Sequence, residues 1–455
     1  MDFEKILSKI PDYKCFLTVD EMDENSKALA EEYPDKVKVF HAGNSRKGHP
    51  IYCLKIGNGS KNALMFGCPH PNEPMGAMTL EFFSRAIAED DELREELDYT
   101  WYIIKSIDVD GTMLNEKWFK GPFTLYNYTR NFFRPVAYEQ VEWTFPVEYK
   151  NYVFNNPIPE TEILMKLINE TKPSFMYSLH NAGFGGAYWY LSHDLKEIYD
   201  DLMATARKVN VPLHLGEPEV PYGEKFAPAI FKLIGFEDDY DYLEKYSKIP
   251  PEKLLNSGQS SDGYARTKCD CVCLVTELPY FYEARIESDK KMDFTRREAA
   301  LEKLEFMEDT KKIVEKYYTQ VCEYMSSDNP FSKNIEQSIE YSKGQNETER
   351  NYIENNEEYD ELCKESEALD NLDIPKFYKL IYLGLLLRSV EYELMKDNVE
   401  GEKRAKLQDV FNSVDEELKE ASQVAEDALD YNVIPIRKLV RIQLESGLLV
   451  ASHIN

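Results

Sequence analysis

The stretch that decides the fold runs from Leu64 to Pro74 and reads LMFGCPHPNEP. Its first half is an apolar run typical of a buried strand, and an amphipathic helical pattern follows, with Pro74 suited to the first helical turn. A short loop that contains His70 and Glu73 therefore joins a predicted strand to a predicted helix. Both side chains can then reach one cation from the end of the strand.

Apolar runs alternate with helical patterns up to about residue 285. The clearest predicted strands span residues 63–68, 101–107, 175–179 and 272–276. Alternation of this kind predicts an α/β domain built on a mixed sheet. A long, charged, amphipathic helix is predicted over residues 293–325 and closes this part of the chain.

The rest of the chain has a different pattern. Residues 326–345 contain Ser, Asn, Asp, Pro and Gly with few apolar residues, which predicts a connector. Acidic helices are predicted near residues 349–369, 375–397, 401–429 and 434–450. We therefore expect an α/β domain at residues 1–327 and an acidic all-α helical bundle at residues 328–455. This bundle is also the expected surface for a protein partner or for self-association.

Composition excludes several classes of partner. The chain of 455 residues has a formal net charge of -29, which disfavours binding to nucleic acid or to an anionic membrane surface. The amino-terminal segment has acidic residues and no apolar run before a small-residue cleavage site, so a cytoplasmic protein is expected. The eight cysteines of the whole chain are expected to be free thiols.

Two later strand ends carry further polar groups. His180 follows the predicted strand at residues 175–179, and Glu277 follows the strand at residues 272–276. Two imidazoles and the Glu73 carboxylate would leave a fourth position for water, the arrangement of a catalytic zinc site. A carboxylate beside such water is what a general base requires, which makes Glu277 the candidate.

In these motifs the chain resembles the zinc metallocarboxypeptidases of the carboxypeptidase A type, over roughly residues 35–320. The resemblance implies one zinc ion held by His70, Glu73 and His180, and Glu277 as the catalytic base. Asp108-Val109-Asp110-Gly111 also looks like the family's Asn-Pro-Asp-Gly turn. Residues 45–52, which precede the motif that contains His70 and Glu73, look like the family's strand entry.

The resemblance also implies a set of substrate-binding residues. The family's Asn-Arg pair, followed by Asn and an aromatic residue, looks like Thr129-Arg130-Asn131-Phe132. Arg130 would then hold the free carboxylate of a peptide, for which a guanidinium is suited. Thr129 departs from the family's Asn. Tyr264 is the candidate for the family's mobile tyrosine.

One catalytic group of the family has no counterpart at its usual place. An arginine that stabilises the oxyanion is expected directly after a tryptophan, but Trp118 is followed by Phe119. Either Lys120 or Arg134 then substitutes for it, or the metal carries most of the stabilisation. The small Ser261 is expected in the pocket for the terminal side chain.

The sequence thus predicts an enzyme, a zinc-dependent peptidase that removes the carboxyl-terminal residue of a peptide or peptide-like substrate. An aspartoacylase-like amidohydrolase of N-acyl amino acids is the first alternative, because those enzymes share the His-x-x-Glu and the later His. A zinc-containing peptide-binding protein with reduced turnover is the second, suggested by Phe119.

Overall fold

The computed structural model describes residues 3–454. Its strands are β1 (Val37–Asn44), β2 (Pro50–Ile56), β3 (Lys61–Gly67), β4 (Tyr99–Ile104), β5 (Val147–Tyr149), β6 (Tyr152–Phe154), β7 (Phe175–Leu179), β8 (Tyr188–Leu191), β9 (Lys225–Ala227), β10 (Ile230–Lys232), β11 (Val272–Glu277), β12 (Phe281–Tyr282), β13 (Lys291–Thr295), β14 (Leu362–Lys364) and β15 (Asn432–Val433).

The helices are α1 (Glu4–Leu7), α2 (Val19–Glu32), α3 (Met75–Glu89), α4 (Asp91–Leu97), α5 (Val109–Phe119), α6 (Leu125–Arg130), α7 (Pro159–Thr171), α8 (Tyr199–Arg207), α9 (Phe236–Tyr246), α10 (Pro251–Leu254), α11 (Ser261–Arg266), α12 (Arg296–Tyr318), α13 (Pro330–Asn355), α14 (Glu365–Ala368), α15 (Ile374–Leu394), α16 (Gly401–Ala428) and α17 (Ile436–His453). A π-helical turn at Leu369–Asp373 joins α14 to α15.

A mixed sheet of nine strands forms the centre of the described chain, in the order β1-β2-β4-β3-β7-β11-β8-β10-β9. Strands β3, β7 and β11 are adjacent and parallel, whereas β8 pairs antiparallel with β11. All four strands predicted from the apolar runs are present within a few residues of their expected bounds. The predicted α/β fold class is confirmed.

The last helix, α17, packs against α3, α8 and the strands β7 and β11. Gln443 of this helix is fully buried; its side chain donates to the carbonyl of His180 at 3.0 Å and accepts from Thr79 at 2.8 Å. One continuous apolar core includes residues from both sides of position 327. The helices after residue 327 therefore share this core with the sheet, and the division of the chain at that position stays a prediction.

The connector predicted at residues 326–345 is wrong, because α13 begins at Pro330. The side chain of Asn329 accepts hydrogen bonds from the backbone N–H groups of Phe331 and Ser332, a standard N-cap. Phe331 and Ile335 then bury their side chains one helical turn apart. The polar composition indicated a loop, but a cap and a narrow apolar stripe are enough to form the helix.

Helix α15 docks closely on α6. A Cβ atom at Gly384 would lie 2.0 Å from the carbonyl oxygen of Thr129, so only glycine permits this approach. Arg388, which is 5% exposed, donates to the carbonyls of Asn131 and Phe132 at 2.6 and 2.8 Å. Helix α15 is therefore fixed over the segment that follows α6. Within residues 3–454, no helix is both long and apolar enough to cross a membrane.

Candidate active site

Three neighbouring strands end at the same place. Because β3, β7 and β11 are parallel and adjacent, their carboxyl ends meet at one edge of the sheet. His70 and Glu73 lie in the turn after β3, His180 directly follows β7, and Glu277 is the last residue of β11. The turn begins at Cys68, whose φ of 51° is a left-handed conformation that non-glycine residues seldom adopt.

One nitrogen or oxygen atom from each of His70, Glu73 and His180 lies within 4.8 Å of the others, and all three residues are buried. Nδ1 of His180 is 3.2 Å from a carboxylate oxygen of Glu73 and 3.7 Å from one of Glu277. The rings of His70 and His180 are 4.9 Å apart. The four residues that the sequence predicts for a metal and its base are thus brought together.

This cluster fits a zinc ion. Nδ1 of His70 is buried and has no hydrogen-bond partner within the described chain, although a buried nitrogen without a partner is costly. Two imidazoles and one carboxylate are donors that zinc prefers, and three protein ligands are typical of catalytic rather than structural sites. His70, Glu73 and His180 are therefore the residues that can hold the ion.

The other ring nitrogen of His180, Nε2, has polar partners on the side away from the cluster. Its Nε2 lies 2.8 Å from Ser178 Oγ and 3.4 Å from a carboxylate oxygen of Glu142. Glu142 also accepts a hydrogen bond from the Ser178 hydroxyl and one from the Ser261 backbone N–H at 2.9 Å. Such a carboxylate behind an imidazole fixes the ring and directs its opposite nitrogen, here Nδ1, toward the cluster.

Burial and neighbouring charges alter the protonation of these groups. Burial lowers the pKa of His70 well below its ordinary value, and the charge of Arg134 lowers it further, so the imidazole is neutral as a ligand must be. Burial also acts to lower the pKa of His180, but the carboxylates of Glu142, Glu73 and Glu277 raise it well above its ordinary value. His180 therefore sits in an acidic environment that also favours a cation.

Glu277 has the properties of a proton acceptor in a buried site. Burial raises its pKa well above the ordinary value, and the negative charges of Glu219 and Glu73 act in the same direction. A carboxylate that prefers to bind a proton can take one from water and give it back. The geometry and the direction of this pKa shift are both consistent with a general base.

The cluster opens into a cavity of about 670 Å³. Its walls come from the sheet edge, from the segment before β9 and from three helices of the carboxyl-terminal part, α12, α13 and α15. Helix α15 contributes one face of its surface, with the lining residues Ile374, Phe377, Tyr378, Ile381, Tyr382 and Leu385. Two helices after residue 327, α13 and α15, thus form part of the wall of the candidate active site.

Arg134 is the arginine that lines this cavity in the described chain. Its guanidinium is 3.3 Å from Glu73 and lies over the ring of Trp143 at 5.3 Å. Lys120, the other residue proposed to replace the expected arginine, instead bonds to the carbonyl of Phe16 and to Glu21. Of the two candidates, Arg134 alone is placed beside the metal ligands.

The three predicted substrate-binding residues are not among those that line the cavity. Arg130 pairs with Glu391 of α15 at 3.0 Å, and the side-chain amide of Asn131 donates to Asn127 at 3.0 Å. Tyr264 is 7% exposed, and its hydroxyl accepts a hydrogen bond from Asn169 at 2.9 Å. Their assignment to substrate binding remains a prediction that this arrangement does not favour.

Sequence reasoning missed three groups that line the cavity, Glu142, Glu219 and Tyr378. Glu142 lies within the short 3₁₀ turn Val141–Trp143 and has no fixed spacing from the His180 that it supports. Glu219 lies in a loop, and Tyr378 comes from a helix that was expected in another domain. No local pattern marks any of them, because only tertiary packing brings them to the strand ends.

Comparisons with known proteins identify a matching family and several similar solved structures. The model of the zinc carboxypeptidase family matches residues 22–259, just over half of the chain. No curated protein matches the chain. Carboxypeptidase A from Helicoverpa armigera is a similar solved structure, with 14% identity, 61% of this chain and 70% of that chain covered, and a TM-score of 0.39.

Two further solved structures are similar. A putative metallopeptidase from Shewanella amazonensis is 11% identical, with 57% of this chain and 84% of that chain covered and a TM-score of 0.38. The murein-tripeptide amidase MpaA from Escherichia coli O157 is 15% identical, with 56% and 87% covered and a TM-score of 0.27. With the family model covering more than half of its residues, the chain belongs to the zinc carboxypeptidase family.

Proposed function

We propose that this protein is a zinc-dependent peptidase that hydrolyses the carboxyl-terminal peptide bond of a peptide or peptide-like substrate. The observation that carries the proposal is the buried group of His70, Glu73 and His180, with Glu277 only 3.7 Å from His180, at the base of a large cavity. This is a ligand set with a base beside it rather than a closed structural site.

When bound, zinc supplies the Lewis acidity that polarises the scissile carbonyl and acidifies water. Glu277 accepts the proton of the attacking water and returns it to the leaving amine, as the new C–O bond forms and the C–N bond breaks. The guanidinium of Arg134 donates hydrogen bonds to the carbonyl oxygen as negative charge develops on it. Glu142 keeps the His180 ring oriented throughout.

Arg134, rather than Arg130, is our candidate for the cationic group that contacts the substrate. Arg134 lines the cavity beside Glu73, whereas Arg130 can reach a substrate only if its pair with Glu391 opens. The aspartoacylase-like reaction on N-acyl amino acids would use the same metal ligands and base. It differs in the acyl group accepted, so the choice between the two is a question of substrate.

The test is a hydrolysis screen with the zinc-loaded protein on peptides, the same peptides amidated at the carboxyl end, and N-acyl amino acids. We expect release of the terminal residue from free-acid peptides and much slower cleavage of the amides. Glu277→Gln should keep zinc and lower kcat by at least ~100-fold. Hydrolysis confined to N-acyl amino acids would support the amidohydrolase, and zinc binding without any turnover would support a binding protein.

A further inference from the structure

Glu219 is the one acidic residue of the cavity wall whose position has no role in the proposed reaction and no cationic partner within the described chain. It lies in the loop between α8 and β9, and the residue is exposed into the cavity. The other acids of this wall are neutralised or bonded. Their partners are Arg134 for Glu73, His180 for Glu142, Arg296 for Glu217, Arg266 for Asp262 and His214 for Asp370.

Two tyrosines hold the Glu219 carboxylate in place. The hydroxyl of Tyr188 donates to one carboxylate oxygen at 2.7 Å, and the hydroxyl of Tyr190 donates to the other at 2.9 Å. Both tyrosines are 5% exposed, so these donors are rigid. Each carboxylate oxygen can accept a second hydrogen bond, which leaves an oriented, charged acceptor facing the cavity.

The loop that carries Glu219 is itself anchored. Glu217 pairs with Arg296 of α12, and its backbone N–H donates to Asp370 in the π-helical turn at 2.7 Å. Nε2 of His214 donates a hydrogen bond to the carbonyl of Glu217 at 2.8 Å. Loop residues fixed in this way present a charge without the entropic cost of ordering a flexible segment.

The strand pairing places this carboxylate close to the reacting centre. Tyr188 of β8 is the direct cross-strand partner of Glu277 in β11, and Tyr190 is the partner of Val275. Side chains of such partners lie on the same face of the sheet, only ~4.5–5.5 Å apart. Glu219 therefore lies one hydrogen bond away from Tyr188, the cross-strand neighbour of the proposed base.

We propose that Glu219, Tyr188 and Tyr190 form a subsite for a positively charged group of the substrate, an ammonium or guanidinium. The proposal rests on the proposed function, whose substrate class it narrows. Oriented carboxylate oxygens form charge-assisted hydrogen bonds with such groups, and aromatic side chains around them add favourable contacts with the cation. Tyr378, which is 43% exposed in the same cavity, is a further aromatic side chain of this wall.

Two sources of the charge share this chemistry, the side chain of a Lys or Arg residue and the free amino terminus of a short peptide. Binding of four small probes by titration calorimetry distinguishes them: lysine, Nα-acetyllysine, norleucine and N-acetylnorleucine. We expect the probes with a cationic group to bind the zinc-loaded protein at least ~10-fold more tightly than N-acetylnorleucine, which has none. Tighter binding of Nα-acetyllysine than of norleucine would identify the side chain as the source of the charge. The reverse order of affinities would identify the amino terminus.

Glu219→Gln preserves shape and should remove this preference. The matched control is Glu224→Gln, which changes an exposed acid of the same loop that pairs with Lys232 outside the cavity, and it should keep the preference. If the wild type binds probes with and without a cationic group equally, the subsite is overturned. A preference for the cationic group that survives in Glu219→Gln would overturn it too. Because binding needs no turnover, this result is independent of the hydrolysis screen, whose failure would overturn only the proposed function.

Discussion

Arg130 and Glu391 form an ion pair with two hydrogen bonds, at 3.0 and 3.2 Å, between α6 and α15. The side chains are only 17% and 23% exposed. The pair joins the segment beside the metal ligands to the helix that forms a wall of the cavity. An arginine that the family resemblance assigned to a substrate is thus used to attach the carboxyl-terminal helices.

A double-mutant cycle of Arg130→Met and Glu391→Gln tests this structural role. We expect each single change to lower the free energy of unfolding, with a coupling of about 1–2 kcal/mol, between the values of exposed and buried pairs. Arg130→Met should not change the ratio of kcat/KM for free-acid and amidated peptides. If that ratio collapses in Arg130→Met, the guanidinium does contact the terminal carboxylate and the sequence-based role is right.

The metal ligands can be tested without a substrate. We expect the purified protein to bind about one zinc ion per chain, and His70→Ala or His180→Ala to lose stoichiometric zinc, because two remaining ligands hold it poorly. Elemental analysis after dialysis measures the content. The control is His193→Ala at an exposed position, which should keep full zinc. Unchanged zinc in both ligand variants would place the ion elsewhere.

Glu142→Gln tests the support behind His180. The change keeps the size of the side chain but removes the negative charge 3.4 Å from Nε2. We expect zinc affinity to fall by ~10–100-fold, as measured by competition with a chelator. Glu148→Gln, an exposed position six residues further along the chain, is the matched control. Equal affinities of the two variants would show that Glu142 does not orient the ligand.

Gly384→Ala tests whether close docking of α15 is required. A methyl group 2.0 Å from the Thr129 carbonyl forces the helices apart. We expect a loss of about 1–3 kcal/mol in the free energy of unfolding, despite the higher helix propensity of alanine, and a lower kcat/KM because the cavity wall moves. Denaturant unfolding and peptide hydrolysis measure the two effects. An unchanged midpoint with wild-type activity would mean that the helices separate without cost.

The sequence predicted those parts of the site that depend on local order. His70, Glu73, His180 and Glu277 each lie at the end of an apolar strand, and parallel strands bring such ends together. That rule needs only the strand pattern, so the sequence alone predicts that these four side chains lie close together.

Other features of the site depend on distant partners, which a local sequence pattern does not reveal. Whether Arg130 faces a substrate or another helix is decided by Glu391, which lies 261 residues later and has no sequence signal of its own. The same applies to Glu219, since its orientation comes from two tyrosines on a different strand. The division into two domains stays a prediction, because amphipathic helices indicate that a face is buried without indicating what buries it.

The hydrogen bond from Gln443 to the carbonyl of His180 has a consequence for synthesis. Its two residues are separated by 263 positions, so at ~5–20 residues per second the ribosome needs roughly 13–50 s to supply the second after the first. During that interval the strands β7 and β11 lack the helix α17, and the carbonyl of a proposed zinc ligand lacks its hydrogen bond from Gln443. We therefore expect the nascent chain to need shelter from aggregation, and productive zinc loading to follow the synthesis of α17.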